Sequence, residues 1–310
     1  MEFFHKVTTY PFMHTRRMWY GVSALILLAS IALLALRGLN LGIDFTGGVV
    51  MQFAYPQTAN VQETRAALEK AGHEAVVTTF GSPTDVMVRL LPEKNQDVNV
   101  VSREVTAVLQ GIVPGVQLRS SEVVGPQIGE ELTNQGGLAV MLTFILVGVY
   151  TWIRFQWKMG ISAVVATLHD PIIILGFFAL TQITFDLSVL AAILAVIGYS
   201  LNDTVVVFDR VRDNFLTMRR VSSEEILDAS INQTMSRTVI TSGATLLVVL
   251  VLLLMGGETL KGFSWALTIG ILVGTYSSIY VAGAMALELK LSAVDLMPPA
   301  EEKAEIDSLP

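Results

Sequence analysis

Six apolar runs, at 19–36, 138–153, 159–180, 187–208, 239–255 and 263–287, fix the kind of fold that this chain of 310 residues can adopt. A helix needs about 20 mostly apolar residues to cross a hydrocarbon core of about 30 Å, and a helix satisfies its own backbone polar groups there. Hydrophobic residues make up 52% of the chain and charged residues only 15%, a balance too greasy for an ordinary soluble domain. The runs therefore predict an α-helical polytopic membrane protein with six transmembrane helices. The first run is long for a signal-peptide core, and Arg37 follows it without a small-x-small cleavage site. It is expected to stay as transmembrane helix 1, at 19–36.

Sidedness follows from Lys and Arg in the short loops, which resist translocation, whereas long domains cross regardless of charge. Lys6, Arg16 and Arg17 precede the first run, Arg154 and Lys158 lie between the second and third, and Arg210, Arg212, Arg219, Arg220 and Arg237 lie between the fourth and fifth. The opposite short loops carry only Lys261. Both termini, 1–18 and 290–310, are therefore expected in the cytoplasm, with helices 2–6 in 138–289 and a cytoplasmic loop at 209–238. That loop holds five Arg and five acidic residues, with Ser222 to Glu225 as a helix start, and reads as an amphipathic helix lying on the membrane surface. The tail beyond Met297 is short and polar and reads as disordered.

The segment 37–137 is expected on the outer, periplasmic face. LGIDFTGGVVMQFA alternates like a strand, and Asn60 with Glu63 opens a helix that stops at Gly72. HEAVVTTFG and DVMVRLL read as strands joined across Ser82 and Pro83, 97–109 is helix-like, and GVQLRSSEVV is a last strand. The order β-α-β-β-α-β is that of a small α+β ferredoxin-like unit. Gly42, Gly47 and Gly48 read as turn and bulge residues at its entrance, with a hinge as the second reading.

Several functions are excluded. The chain has no cysteine, hence no disulfide and no thiolate metal site. It has no GxxxxGK[ST] to cradle a nucleotide phosphate and no HExxH. Its net charge of −7 comes with no basic, aromatic-interleaved stretch, so nucleic acid is not an expected partner. No catalytic residue, cofactor or metal is expected. What remains is a set of ionisable groups at membrane depth, where each costs roughly 2.5 to 3.5 kcal/mol on insertion scales.

Those groups are His169, Asp170, Asp203 and Arg237. At about 1.5 Å per residue, His169 and Asp170 lie roughly 15 Å in from the cytoplasmic end, and Asp203 roughly 8 Å in from the same face. The run 239–255 is short for a full span, so its helix is expected to start earlier and bring Arg237 inward, where it could meet Asp203. A carboxylate in low dielectric tends to hold its proton and a guanidinium favours ionisation, so relative movement of the two would switch proton uptake and release. A proton crossing about 100 mV supplies roughly 2.3 kcal/mol for such a switch. The competing readings are structural: Asp203 hydrogen-bonded to Asn202, Ser200 or Thr204, and Arg237 as a snorkelling anchor. For His169 and Asp170, followed by Pro171, function and the satisfaction of a proline-broken helix stand level. Gly270 and Gly274, with Ser277 and Ser278, read as a close helix-packing face.

Three segments carry a resemblance: GIDFTGG at 42–48, GYSLNDTVVVFDRVRDNF at 198–215 and SRTVITSGATL at 236–246. Together they closely resemble the SecF family, the smaller membrane subunits of bacterial SecDF protein-export factors, within the resistance-nodulation-division superfamily. The resemblance implies a non-enzymatic subunit of the Sec machinery in the bacterial inner membrane. With SecD it would use the proton motive force to assist late-stage translocation of preproteins. It implies SecD, the SecYEG channel, YajC and the translocating preprotein as partners, with the lipid bilayer as solvent. The family's proton-linked carboxylate falls on Asp203 and its arginine on Arg237; His169, Asp170 and Asn202 remain as accessory polar positions. Some relatives carry both halves in one chain, so six spans here imply a separate SecD. Two other functions stay open on the residues alone: half of a proton-driven lipid or drug exporter, or a passive scaffold whose buried charges fix helix packing.

Overall fold

The computed structural model describes residues 8–90, 98–218 and 221–296. Lys6, Asp97, Arg219, Arg220 and the tail beyond Met297, all used in the sequence argument, lie outside them. The chain runs through α1 (Arg16–Arg37), the short α2 (Ile43–Thr46), β1 (Gly48–Ala54), α3 (Val61–Lys70), β2 (Ala75–Phe80), β3 (Ser82–Leu90), α4 (Val98–Ile112) and β4 (Gln117–Val124). The long helices α5 (Pro126–Arg154), α6 (Trp157–Thr181), α7 (Leu187–Thr217), α8 (Ser223–Met255) and α9 (Lys261–Ser277) follow. After α9 the helix continues as a π-helical stretch, Ser278–Gly283. Among the described residues six helices are long and apolar enough to cross a membrane.

The small domain has the expected β-α-β-β-α-β order, and its antiparallel sheet runs β2-β3-β1-β4. Alternation sends Val49, Met51 and Phe53 of β1 inward beside Val86 and Val88 of β3, where α3 and α4 cover them with Leu68, Val105 and Leu109. Each such side chain contributes about 1.5 to 3 kcal/mol on burial, which lets this unit hold its own core without disulfides. Asn60 caps α3, its side chain accepting from the Gln62 and Glu63 amides. Two local expectations change. The turn between β2 and β3 is made by Gly81, at φ +76°, and Ser82 and Pro83 already belong to β3. The strand expected from Leu41 starts only at Gly48, because Ile43–Thr46 forms a helical turn.

That helical turn is a joint. Gly42 N–H donates to Phe185 O at 2.7 Å, and Asp44 Oδ2 accepts from the Leu187 amide at 3.0 Å, so the segment caps the start of α7. Arg89 of β3 reaches the same turn, donating to Leu41 O and, at 3.2 Å, to Thr46 Oγ1. Gly47 sits at φ +68°, and a Cβ there would lie 2.9 Å from the Pro126 Cα, so the chain can pass the start of α5 only as glycine. The small domain thus grips the head of the helix that carries Asp203.

The stretch 209–238 is not a loop with a separate surface helix. It comprises the end of α7 and the start of α8, and Ile226, Leu227 and Ile231 are buried in the bundle. Hydropathy marks only the greasy part of a helix; the polar extensions of α7 and α8 are held by contacts that a running average misses. Asn214 donates to Ser230 Oγ at 2.8 Å and to Gln233 Oε1 at 3.1 Å, joining the two helices beyond their apolar runs.

Within the bundle α6, α7 and α9 with its π-helical continuation form the interior, and α1, α5 and α8 are far less buried. Small residues set the approach of α7 and α9. A Cβ on Gly270 would overlap the Val196 side chain, and one on Gly274 would lie 3.0 Å from Ser200 Cβ. Gly270→Leu should therefore force the two helices apart and cost about 1 to 3 kcal/mol, read as a lowered unfolding midpoint of the purified protein in lipid nanodiscs.

Candidate functional site

Two polar centres lie in the interior, one on α6 and one on α7. The first is built around Asp170, which is 0% exposed, beside His169 at 3%. His169 Nδ1 lies 2.9 Å from Asp170 Oδ1. Ser277 of α9 donates to Asp170 Oδ2 at 2.9 Å, and Ser200 of α7 donates to the same oxygen. One carboxylate therefore holds three helices together through hydroxyls from two of them. An aspartate in the bilayer is tolerable only with such partners. Pro171 lies inside α6 without ending it.

The second centre is Asp203, 4% exposed, three residues past Ser200 on α7. Its Oδ2 has no hydrogen-bond partner. None of the three residues proposed to satisfy it does so. Ser200 is committed to Asp170, Thr204 donates to Ser200 O at 3.2 Å, and Asn202 faces outward from the helix. The neighbours of Asp203 come instead from α8, where Arg237 acts on it electrostatically and Ser242 lies alongside. Ser242 bridges the helices, receiving from Tyr199 OH at 3.3 Å and lying 2.9 Å from Thr275 Oγ1.

Arg237 is inside the length of α8, as expected from the short apolar run, since the helix begins at Ser223. Its side chain is exposed in the isolated chain, and among the described residues no ion pair within 4.0 Å joins it to Asp203. The structure thus places Asp203 and Arg237 within electrostatic reach, places His169 and Asp170 in a separate hydroxyl-bound cluster, and leaves Asn202 apart from both. Sequence reading missed Ser200 and Ser277 as ligands of Asp170 and Ser242 as a neighbour of Asp203. Ser200 could have been found from its spacing, one turn before Asp203; the others come from distant helices and left no local signal. Among the described residues no group of His, Asp and Glu could hold a metal ion.

The two carboxylates should differ in what they support. Asp170→Ala leaves two buried serine hydroxyls and an imidazole without their acceptor and should cost about 3 kcal/mol or more. Asp203→Asn removes the charge of a carboxylate whose Oδ2 has no hydrogen-bond partner and should change stability by less than about 1 kcal/mol. Thermal unfolding of both variants in nanodiscs tests the contrast.

Residues 104–292 match the family described as Protein export membrane protein SecD/SecF, C-terminal, and residues 32–59 match the SecD/SecF GG Motif. The chain is 46% identical over 306 residues to Protein translocase subunit SecF of Vibrio alginolyticus, covering 97% of both chains. It is 42% identical over 308 residues to the subunit of the same name from Pseudomonas aeruginosa, covering 98% of this chain and 99% of that one. Among solved structures it resembles a translocon-associated SecDF from Thermus with a TM-score of 0.82 and 36% identity, covering 91% of this chain and 39% of that one. SecDF in a super-membrane-facing form gives a TM-score of 0.69 and 34% identity, over 97% of this chain and 40% of that one. The chain thus spans well under half of each SecDF chain and nearly all of each SecF relative. Six apolar helices in this order, a ferredoxin-like domain inserted after the first, and close identity over almost the whole length lead to one conclusion: the chain belongs to the SecD/SecF family of protein-export membrane proteins, on its SecF side.

Proposed function

We propose that this chain works with a SecD partner in the bacterial inner membrane, using the proton motive force to assist a late stage of preprotein translocation through the Sec machinery. The observation that carries the reading is Asp203: a buried carboxylate in a central helix, with an unpartnered oxygen and Arg237 nearby but not bonded to it. A structural aspartate would be saturated, as Asp170 is. One that is left open, with a movable guanidinium on the neighbouring helix, can take and release a proton as the helices shift. The work is done by conformational change, with no bond-breaking site.

The SecDF neighbours support a SecD half as the partner, since their chains hold more than twice the length matched here. The isolated chain also leaves large apolar side chains outward on α5 and α8, among them Leu146, Leu247 and Leu254. An apolar face suits either a partner helix or lipid, and Arg237 on α8 favours a partner at that position, because a guanidinium facing hydrocarbon is costly. SecYEG, YajC and the preprotein follow from the family reading alone.

The joint at Asp44 and Arg89 gives the small domain a mechanical connection to α7, so a change at Asp203 can reach it through one helix. With the basic flanks cytoplasmic, that domain lies outside, where a translocating chain emerges.

Two measurements test the reading. Asp203→Asn should assemble normally with SecD but lose the gradient-stimulated part of preprotein export into inverted vesicles; full stimulated export in that variant would falsify proton coupling at this site. Because the chain has no cysteine, Glu69→Cys on the exposed face of α3 gives a single thiol, which a membrane-impermeant maleimide should label from the periplasmic side of spheroplasts. Labelling only after the membrane is opened would invert the topology.

A further inference from the structure

The mechanism above uses Asp203 and leaves unexplained the other buried ionisable pair. In a purely structural role, His169 and Asp170 would have their polar atoms used up. Asp170 does: Oδ2 receives the hydroxyls of Ser200 and Ser277, and Oδ1 faces His169 Nδ1 at 2.9 Å. His169 does not. Its side chain is 2% exposed, yet Nε2 has no hydrogen-bond partner. A buried imidazole whose Nδ1 is engaged and whose Nε2 has no partner can take one more proton when Nε2 is the bare nitrogen.

In the tautomer in which Nδ1–H donates to Oδ1, with Oδ2 occupied by two hydroxyl donors, the pair carries a single negative charge and Nε2 is bare. Uptake of one proton from water forms an N–H bond at Nε2 and makes the pair neutral. The atom that gains the proton is the same whether the first one then resides on nitrogen or on oxygen.

We infer that His169 Nε2, with Asp170 as its counter-charge, is a second proton-binding site in the membrane interior, coupled to Asp203 through Ser200. This rests on the proton-driven reading given above. The coupling is geometric, because Ser200 ties α7 to the pair and lies one turn from Asp203 on the same helix. The charge of the pair sets how strongly Asp170 holds the Ser200 hydroxyl, and so the hold of α6 on α7. On α9, Gly274 makes room for Ser200, since a Cβ added there would lie 3.0 Å from Ser200 Cβ, so α7 and α9 pack closely at this contact. The π-helical stretch begins directly after Ser277, a place where helices store alternative hydrogen-bond patterns.

Other ionisable groups bear on the pair from each packed element. Tyr276 of α9 stacks by it, with ring centroids 6.2 Å apart, and its hydroxyl donates to Trp19 O in α1 at 3.0 Å. Tyr280 stacks on Tyr276 from the π-helical stretch, Tyr20 lies on α1, and Arg154 of α5 is paired with Asp209 at the end of the bundle. Asp203 on α7, with Arg237 behind it on α8, completes the set.

The test uses the full chain in nanodiscs, labelled with ¹⁵N-histidine and assigned by difference from His169→Asn. The Nε2 resonance of His169 should pass from bare to protonated as the pH falls, and its midpoint should move in Asp203→Asn. An Nε2 that stays in one state throughout, or a midpoint unmoved by Asp203→Asn, overturns the inference. In export assays, His169→Asn keeps an amide to donate to Asp170 but cannot take a proton, so stimulated export should fall about tenfold with assembly intact. Native stimulated export in His169→Asn, alongside loss in Asp203→Asn, sinks the second site alone. Native export in Asp203→Asn sinks the reading beneath it.

Discussion

The interior of this bundle depends on one carboxylate that cannot be left alone. Asp170 is fully buried in a medium that offers no water, so it must be met by donors from its surroundings. Those donors are Ser200 and Ser277, on two other helices, and they reach it only because α7 and α9 approach closely. The approach in turn depends on Gly270 and Gly274, which remove the side chains that would hold the helices apart. In lipid there is no hydrophobic drive between helices, so this combination of small residues and shared hydrogen bonds sets the packing.

That fixed interior gives meaning to what is not fixed. Asp203 lies one turn from Ser200 and is left with an unpartnered oxygen, while Arg237 acts on it from α8, one of the less buried helices of the bundle. A tight seam therefore lies next to a charge pair that is not closed by an ion pair. The small domain meets the head of α7 through Asp44 and Arg89. Its short sheet and helices form a hydrophobic core of their own.

Much of the fold was legible in the chain. Six runs of the right length gave six helices, and alternating residues between Gly48 and Val124 gave the β-α-β-β-α-β order with Asn60 as a cap. The errors share a cause. Residues 209–238 look polar and were read as a surface loop, but Asn214 and Ser230 satisfy each other across α7 and α8 and keep both helices going. Ile43–Thr46 alternates like a strand, but its backbone turns to cap another helix 140 residues on, which local pattern does not encode. The site was legible as a list of ionisable residues at membrane depth and not as a set of partners. Spacing suggested Ser200, Asn202 and Thr204 for Asp203, and the fold uses none of them there.

The sequence by itself determined that the chain spans a membrane, how many helices do so, where a folded domain interrupts them, and which charges are too costly to be accidental. These follow from the length and period of apolar residues and from the price of charge in hydrocarbon, which are local quantities. Only the tertiary structure decided that Asp170 is saturated and Asp203 is not. The donors that distinguish two buried aspartates come from helices dozens of residues away, and which helix faces which is set by packing, not by the residues beside each charge.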